Sequence, residues 1–408
     1  MQNAGEKIFE SLKKLEKYIE DHKYKGYDPA DGLTSYLRPL TFNNLLLDRI
    51  LLQIVQRSPV NLRPYIGVKP LDSYIGRGYI TWGYLTMFRL TGDEEYKHKT
   101  KSCLEWLKKN RASSCKDYCW GKLFDFAGRG GMYKKGEPIL IWTALVGHAF
   151  LEAFEVLQDR SYLNVADSIC RWIMKLPRNE TDTGFCFGYH NFDMGGTIHN
   201  SNMVGAAVLA RTAKHNGNRK YLAAAEEAMK FSCTRQLHDG AWLYGEDSKN
   251  HWIDNFHTGY NLDALKCYMK STGDTSYEVN LKKGFQFYKN NFFEASGRPK
   301  YYHNKTYPVD SQCISQSIET LANFADYDEE SLNLGVKVAM WTIENMQDST
   351  GYFYFRKYPG GIILKPPMIH WAQATTYMAL SYLFLKLKEF NFIKLKNQFM
   401  NGKYPASL

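Results

Sequence analysis

The sequence lacks the features that mark several large protein classes. No run approaches the roughly 18 consecutive apolar residues of a membrane span. Its first residues, MQNAGEKIFESLKKLEKYIE, alternate as an amphipathic helix without the apolar core of a secretory signal. There is no G-x-S-x-G nucleophile elbow, no P-loop, no G-x-G-x-x-G dinucleotide loop, and no HxH or HExxH metal spacing. Of eight cysteines only Cys115 and Cys119 stand close together, and no second pair completes a zinc site. These absences set the expectations of no metal, no cofactor, no transmembrane segment and a reducing, cytoplasmic setting. Peripheral contact with a membrane stays open.

What is present is basic and aromatic. The 408 residues carry 52 basic and 42 acidic side chains, a formal charge of +10, and aromatics make up 15%. That balance suits an acidic partner. Nucleic acid is not expected, because the lysines of segments such as EEYKHKTKSCLEWLKKN read as a solvated helix face rather than one continuous basic surface. Aromatic rings suit stacking on sugars.

An internal repeat organises the chain. Polar turns recur as LTGDEEY, LQDRSYL, KHNGNRKYL, STGDTSY and ADYDEESL, anchored at Tyr96, Tyr162, Tyr221, Tyr277 and Leu332. An amphipathic helix follows each turn and a more apolar one precedes it, near 78–90, 141–157, 201–214, 257–271 and 312–325, with a sixth apolar helix near 370–387. A period of this length fits a two-helix unit that buries its apolar face only against its neighbours. Six such units predict an all-α (α/α)6 toroid with small strand-like loop insertions and a doubly buried inner ring. The expected layout is a single domain over 1–408, with a lead-in over 1–40, a toroid core over 41–390 and a tail over 391–408. Either the helix at 4–20 or the one at 41–56 completes the outer ring. An open solenoid is the structural rival.

The segments leading back to the apolar helices are long and rich in glycine and aromatics, so the functional face is expected at that end. WIDNFHTGYNLDALKCY puts Asp254, His257 and Tyr260 at the start of one inner helix. Asp254 is a natural cap there, while His257 and Tyr260, three apart, share a face. His199 and Asn202 open another inner helix, and His370 and Trp371 the last. Trp120, Asp125, Arg129, Trp242, Glu246, Lys305, Tyr307 and Arg356 lie in the loops. The bland alternative is that Asp254 only caps and His257 is a satisfied core imidazole.

Two chemistries suit these residue types. Glycoside hydrolysis needs two carboxylates flanking the bond, which Asp254 with Asp125 or Glu246 could supply. Proton abstraction from C5 of a uronic acid needs a base, an acid and a cation for the carboxylate. There Asp254, His257, Tyr260, Tyr307 and His199 are the candidate catalytic residues. The candidate substrate-binding residues are Trp120, Asp125, Arg129, Asn202, Trp242, Glu246, Lys305, Arg356, His370 and Trp371.

The segments YCWGKLFDF, HNSNMVGAAVLAR, QLHDGAWLYGE, WIDNFHTGYNLDAL and PKYYHNKTYP resemble a poorly characterised family of bacterial and archaeal surface-polysaccharide gene clusters, over about residues 25–390. Its fold is similar to that of glucuronyl C5-epimerases, unsaturated glucuronyl hydrolases and polysaccharide lyases. The resemblance implies a role on a glycan, an acidic polysaccharide or a lipid-linked oligosaccharide. The expectation is a C5-epimerase or lyase, with a glycosidase or a non-catalytic glycan-binding or assembly protein as alternatives.

Overall fold

The polar turns are helix junctions. In the computed structural model, which describes residues 2–128, 131–191 and 196–400, Asp93, Asp159, Asn218 and Asp328 each accept a backbone N–H from the first turn that follows them. A short oxygen side chain at this position satisfies one of the amides a helix start leaves unpaired. The helices before three of the turns end on Gly92, Gly217 and Gly273, whose φ of 67°, 71° and 77° a residue with a Cβ adopts only under strain.

Helix α1 (Gln2–Asp21) comes first, and α2 (Leu45–Arg57) lies on an arm formed by residues 22–73. Five hairpins follow: α3 (Tyr74–Thr91) with α4 (Glu94–Lys109), α5 (Leu140–Leu157) with α6 (Arg160–Ile173), α7 (His199–Asn216) with α8 (Arg219–Cys233), α9 (Asn255–Thr272) with α10 (Glu278–Asn291), and α11 (Ser311–Asn323) with α12 (Glu329–Met346). A π-helical turn at Ile369–Ala374 then leads into α13 (Thr375–Met400).

Helices α3, α5, α7, α9, α11 and α13 pack each on the next, and α13 packs back on α3, so the ring is closed. Around it run α4, α6, α8, α10, α12 and, against α13 and α12, α1. The chain is an (α/α)6 toroid. The helix that completes the outer ring is the N-terminal one, so residues of the expected lead-in belong to the ring itself.

The inner helices are apolar all round because they meet neighbours on every side: α7 is buried without interruption from His199 to Ala213. Each fully buried aliphatic side chain there contributes ~1.5–3 kcal/mol. By length and composition α5 could cross a membrane, which the run-length expectation did not foresee. Here its residues are mostly buried within the ring.

The strands are short and lie in the loops at one end. β1 (Phe126–Gly128) pairs with β2 (Gly131–Tyr133), and β3 (Arg178–Thr181) with β4 (Gly184–Phe187), both antiparallel. β5 (Val309–Asp310), β6 (Arg356–Lys357) and β7 (Ile363–Leu364) form a third antiparallel sheet in which Asp310 stands opposite Arg356.

Candidate functional site

Asp254 is the N-cap of α9 and almost fully buried. Its Oδ1 accepts the His257 backbone N–H at 3.0 Å, and its Oδ2 accepts both Trp252 Nε1 at 2.9 Å and His257 Nδ1 at 2.7 Å. A carboxylate can only accept, so the ring hydrogen of His257 sits on Nδ1 and the lone pair is left on Nε2. The imidazole is held among Tyr244, whose ring is 4.4 Å away, and Phe256 at 3.9 Å, with its side chain 19% exposed. This is an oriented histidine whose Nε2 has no hydrogen-bond partner among the described residues, in an aromatic setting.

Phe256 extends the cluster to Tyr301 and, edge-on at 5.6 Å, to Trp371. Trp371 donates its Nε1–H to Asp310 at 2.9 Å, and Arg356 donates to the other oxygen of the same carboxylate. The guanidinium that the uronate reading assigned to a sugar carboxylate is therefore already neutralised by a buried acid. Lys305 is exposed and makes no ion pair among the described residues.

His370 precedes α13 and is buried, with Nδ1 3.9 Å from Asp28, which also accepts Lys122 at 2.7 Å. Burial draws the His370 pKa down, partly opposed by Asp28. Burial alone would raise Asp28, but the Lys122 charge and His370 together hold it well below the usual carboxylate range.

Several expected site residues serve the fold instead. Trp120 is fully buried and donates to the Leu107 carbonyl, and Trp242 is buried and donates to that of Ser232. Neither offers a face to a ligand. Asn202 accepts from Phe187 N and donates to Ala228 O, tying β4 and α8 to α7. His199 has both nitrogens taken, Nε2 donating to Glu246 at 2.7 Å and Nδ1 accepting from Ser232 at 3.2 Å, and it is wholly buried. Asp125 accepts from Arg38 and from the Lys135 amide, fastening the β1–β2 segment to the arm. Tyr307 accepts from Arg298 at 3.1 Å. Arg129 lies outside the described residues.

Tyr260 is buried, its hydroxyl 2.7 Å from that of Tyr79 and accepting from Gln312 Nε2 at 2.8 Å. Burial pushes its pKa up, which suits a neutral hydrogen-bonding phenol rather than a base. Tyr260 also lines an axial cavity of about 370 Å³ that is walled by all six inner helices, from Trp82 and Arg89 of α3 to Met378, Tyr382 and Lys386 of α13. This cavity belongs to the end of the ring opposite the long loops, and Asp254, His257 and His370 are not among its lining residues.

The cavity holds groups that reading the loops missed. Asp263 accepts from Gln316, Thr320 and Asn323, yet burial still pushes its pKa up to about 6. Glu319 is raised well above the usual range by burial and by the Asp263 charge. Arg211 bridges Glu152 and Glu155, and buried His148 is drawn down to about 3 by desolvation and by Arg211. The signal was a charged residue inside an otherwise apolar helix, as in NLDAL and SIETL: in a doubly buried ring such a residue faces the axis.

No family model matches the chain, and no curated protein matches it in sequence. Solved structures do match in shape. The cellobiose 2-epimerase of Bacillus thermoamylovorans B4167 superposes with a TM-score of 0.61 at 13% identity, over 78% of this chain and 88% of that one. A D-mannose isomerase gives 0.57 at 14% identity over 78% and 87%. The GH76 α-mannanase of Bacteroides thetaiotaomicron gives 0.58 at 13% over 78% and 87%. The six-hairpin ring is shared. Coverage this high on both sides means that most of each chain matches, and identities this low carry the fold alone.

Proposed function

We propose that the protein is a carbohydrate-active enzyme that moves a proton at a sugar carbon adjacent to a carbonyl, as an epimerase or isomerase does. The observation that carries this reading is the Asp254–His257 pair. A carboxylate fixes the tautomer and orientation of an imidazole whose Nε2 has no partner among the described residues and lies among aromatic rings, the arrangement a general base needs. Epimerisation also needs a donor for the opposite face of the carbon. With both His199 nitrogens taken, His370 at the start of the last inner helix is the candidate for that role. Several solved structures of similar fold are named as epimerases or isomerases, which supports the reaction class.

The finer form of this reading is C5 exchange in a uronate-containing polysaccharide or lipid-linked glycan, leading to epimerisation or to β-elimination. Lys305 then has to meet the sugar carboxylate, because Arg356 is paired with Asp310. A neutral reducing sugar makes no such demand.

A second reading, glycoside hydrolysis, is favoured by one observation at the other end of the ring. Glu319, whose pKa burial and the Asp263 charge raise well above the usual range, stands in the axial cavity with a second carboxylate, Asp263. The loop carboxylates Asp254 and Asp125 are engaged by internal donors and do not serve it.

Incubation with uronate oligosaccharides and with reducing disaccharides in D2O, read by mass spectrometry, separates the readings. One deuterium gained at carbon in a sugar of unchanged connectivity supports proton transfer, and loss of that exchange in His257→Ala places it at the rim. An unsaturated chain end reports elimination. A shortened chain with added water, abolished by Glu319→Gln and indifferent to His257→Ala, overturns the lead reading in favour of hydrolysis.

A further inference from the structure

Ten of the sixteen large hydrophobic side chains left exposed among the described residues fall between 36 and 65, on the arm. The remaining six are scattered over the rest of the chain, as single exposed apolar residues ordinarily are. A concentration of this kind marks an interaction surface.

The arm is firmly seated, so the exposure is built into the fold. Arg63 is fully buried and donates Nε–H to both oxygens of buried Asp31 at 2.9 Å, with its other nitrogens on the Val55 and Asp28 carbonyls. Leu52 and Val55 of α2 pack against Gly32, and Asp48 turns inward to accept from Thr41 at 2.6 Å. The opposite face of α2 carries Leu46, Ile50 and Ile54 at successive four-residue steps. Arg49, Gln53 and Arg57 lie beside them. Phe42, 83% exposed, stands just ahead of the helix in the left-handed backbone region.

Charge decides what can cover this face. Of the acidic and basic residues from 36 to 69, Asp48 and Arg63 are buried, and Arg38 is paired with Asp125. What remains outside is Arg49, Arg57 and Lys69, with no exposed acid. A second copy docked on the same face would set arginines near arginines with no carboxylate in the stripe to pair them. A bilayer containing anionic lipid meets both needs, taking the apolar side chains into its headgroup–acyl boundary and the arginines among its phosphates.

We propose that α2 and the segment leading into it form a docking surface for an anionic lipid bilayer, with Phe42, Leu46, Ile50 and Ile54 entering the interface and Arg49 and Arg57 pairing with headgroups. This does not depend on the reaction the protein catalyses. It does orient the molecule: the arm joins the loop end through Arg38–Asp125 and through Asp28, which lies against His370. The rim with His370 is therefore on the arm's side of the ring.

The test is co-sedimentation of the full chain with phosphatidylcholine vesicles, with and without phosphatidylglycerol, alongside sedimentation velocity of the free protein. The expected result is binding to the anionic vesicles that weakens as salt is raised. The Ile50→Ser/Ile54→Ser variant should lose more than tenfold in partitioning. Arg49→Gln or Arg57→Gln should each lose about fivefold with a shallower salt dependence. All four positions are exposed, so unchanged circular dichroism and melting are expected and serve as the folding control. Failure of the native chain to bind anionic vesicles overturns the proposal, as does undiminished binding by the serine variant. A native dimer that the serine variant dissolves also overturns it, in favour of a second copy.

Discussion

Asp254 joins fold and chemistry in one carboxylate, and the two can be pulled apart. Asparagine is as good an N-cap as aspartate, so Asp254→Asn should keep the first turn of α9 and cost about 1–3 kcal/mol, for the acceptor that Trp252 Nε1 and His257 Nδ1 lose. The amide has one acceptor instead of two, however, so it cannot both cap and hold the His257 Nδ1–H. On the proton-transfer reading its exchange rate in D2O should fall ~10²–10⁴-fold, with the melting temperature lowered by only a few degrees. A large fall in melting temperature at full activity would return Asp254 to a purely structural role. The same carboxylate shows why the loop candidates were only partly legible. Residue types and helix starts identify an Asp–x–x–His pair, but whether a histidine keeps a free nitrogen depends on partners far away in the chain. His199 and His257 look alike in sequence. Glu246 and Ser232 occupy the first on both sides, while Asp254 occupies the second on one.

Asp263 makes a residue-scale prediction with a defined sign. Its folded pKa, about 6, lies above its ordinary value of 3.8, so between these values the folded state holds the proton more tightly than the unfolded one. Stability from this group is therefore full below about pH 4 and is lost as the pH rises through 6. Substitution by Asn removes that slope. The urea-unfolding free energy of Asp263→Asn relative to the native chain should rise by ~1–3 kcal/mol from pH 4 to pH 7. Asp28 and Glu155, held low by their partners, bend the native curve the other way but cancel in the difference, whereas Glu319, raised partly by the Asp263 charge, adds to the difference in the same direction. A difference that is flat with pH would mean that the fold does not raise the Asp263 pKa.

Helices were the most legible elements, because an inner helix that is apolar all round and an outer helix with one apolar stripe differ over many residues at once. Their starts were set late: α3 begins at Tyr74 rather than 78, and α7 at His199 rather than 201. An apolar pattern shows only once the chain is inside the ring, whereas the helix is opened by polar residues such as Ser73 and Asp254. The π-helical turn Ile369–Ala374 was invisible to periodicity, whereas the closure expected from the six units is made by the packing of α13 on α3. That seam is tight at Gly83, where a Cβ would come within 2.5 Å of the Tyr377 ring, itself fully buried. Gly83→Ala is therefore expected to cost about 1–3 kcal/mol through overpacking, despite the higher helix propensity of alanine. At Gly5 of α1 the position a Cβ would take has nothing within 4 Å. Gly5→Ala should be neutral or stabilising by up to ~1 kcal/mol. Equal effects at the two sites, measured by urea denaturation, would mean that the seam gives way to the added methyl.

At the scale of the whole molecule, closure distinguishes this ring from a solenoid, in which each unit touches only its neighbours and the ends can fray alone. The chain's two ends meet at Glu16 of α1, which is nearly buried. Its carboxylate accepts from Tyr96 at 3.0 Å and Tyr377 at 3.4 Å, and it pairs with Lys13 at 2.9 Å and Lys99 at 3.3 Å. These partners come from α1, α4 and α13, so one side chain ties the first helix to the last inner helix and to the hairpin that follows the arm. Glu16→Ala takes the shared acceptor from two phenols in a poorly hydrated place, while Lys99 keeps Glu20 at 2.7 Å, and should cost ~1–3 kcal/mol. On the same helix Lys17–Asp21 is an exposed pair, and Asp21→Ala should cost under ~0.5 kcal/mol. In a closed ring the loss at Glu16 is felt everywhere. The urea transition should move to lower concentration as a single step with an unchanged slope, and amide exchange in α7, across the ring, should speed up by the same free energy. An early separate transition confined to α1 and α13, with α7 protected as before, would mean that the ring is held shut only weakly and unfolds from its seam.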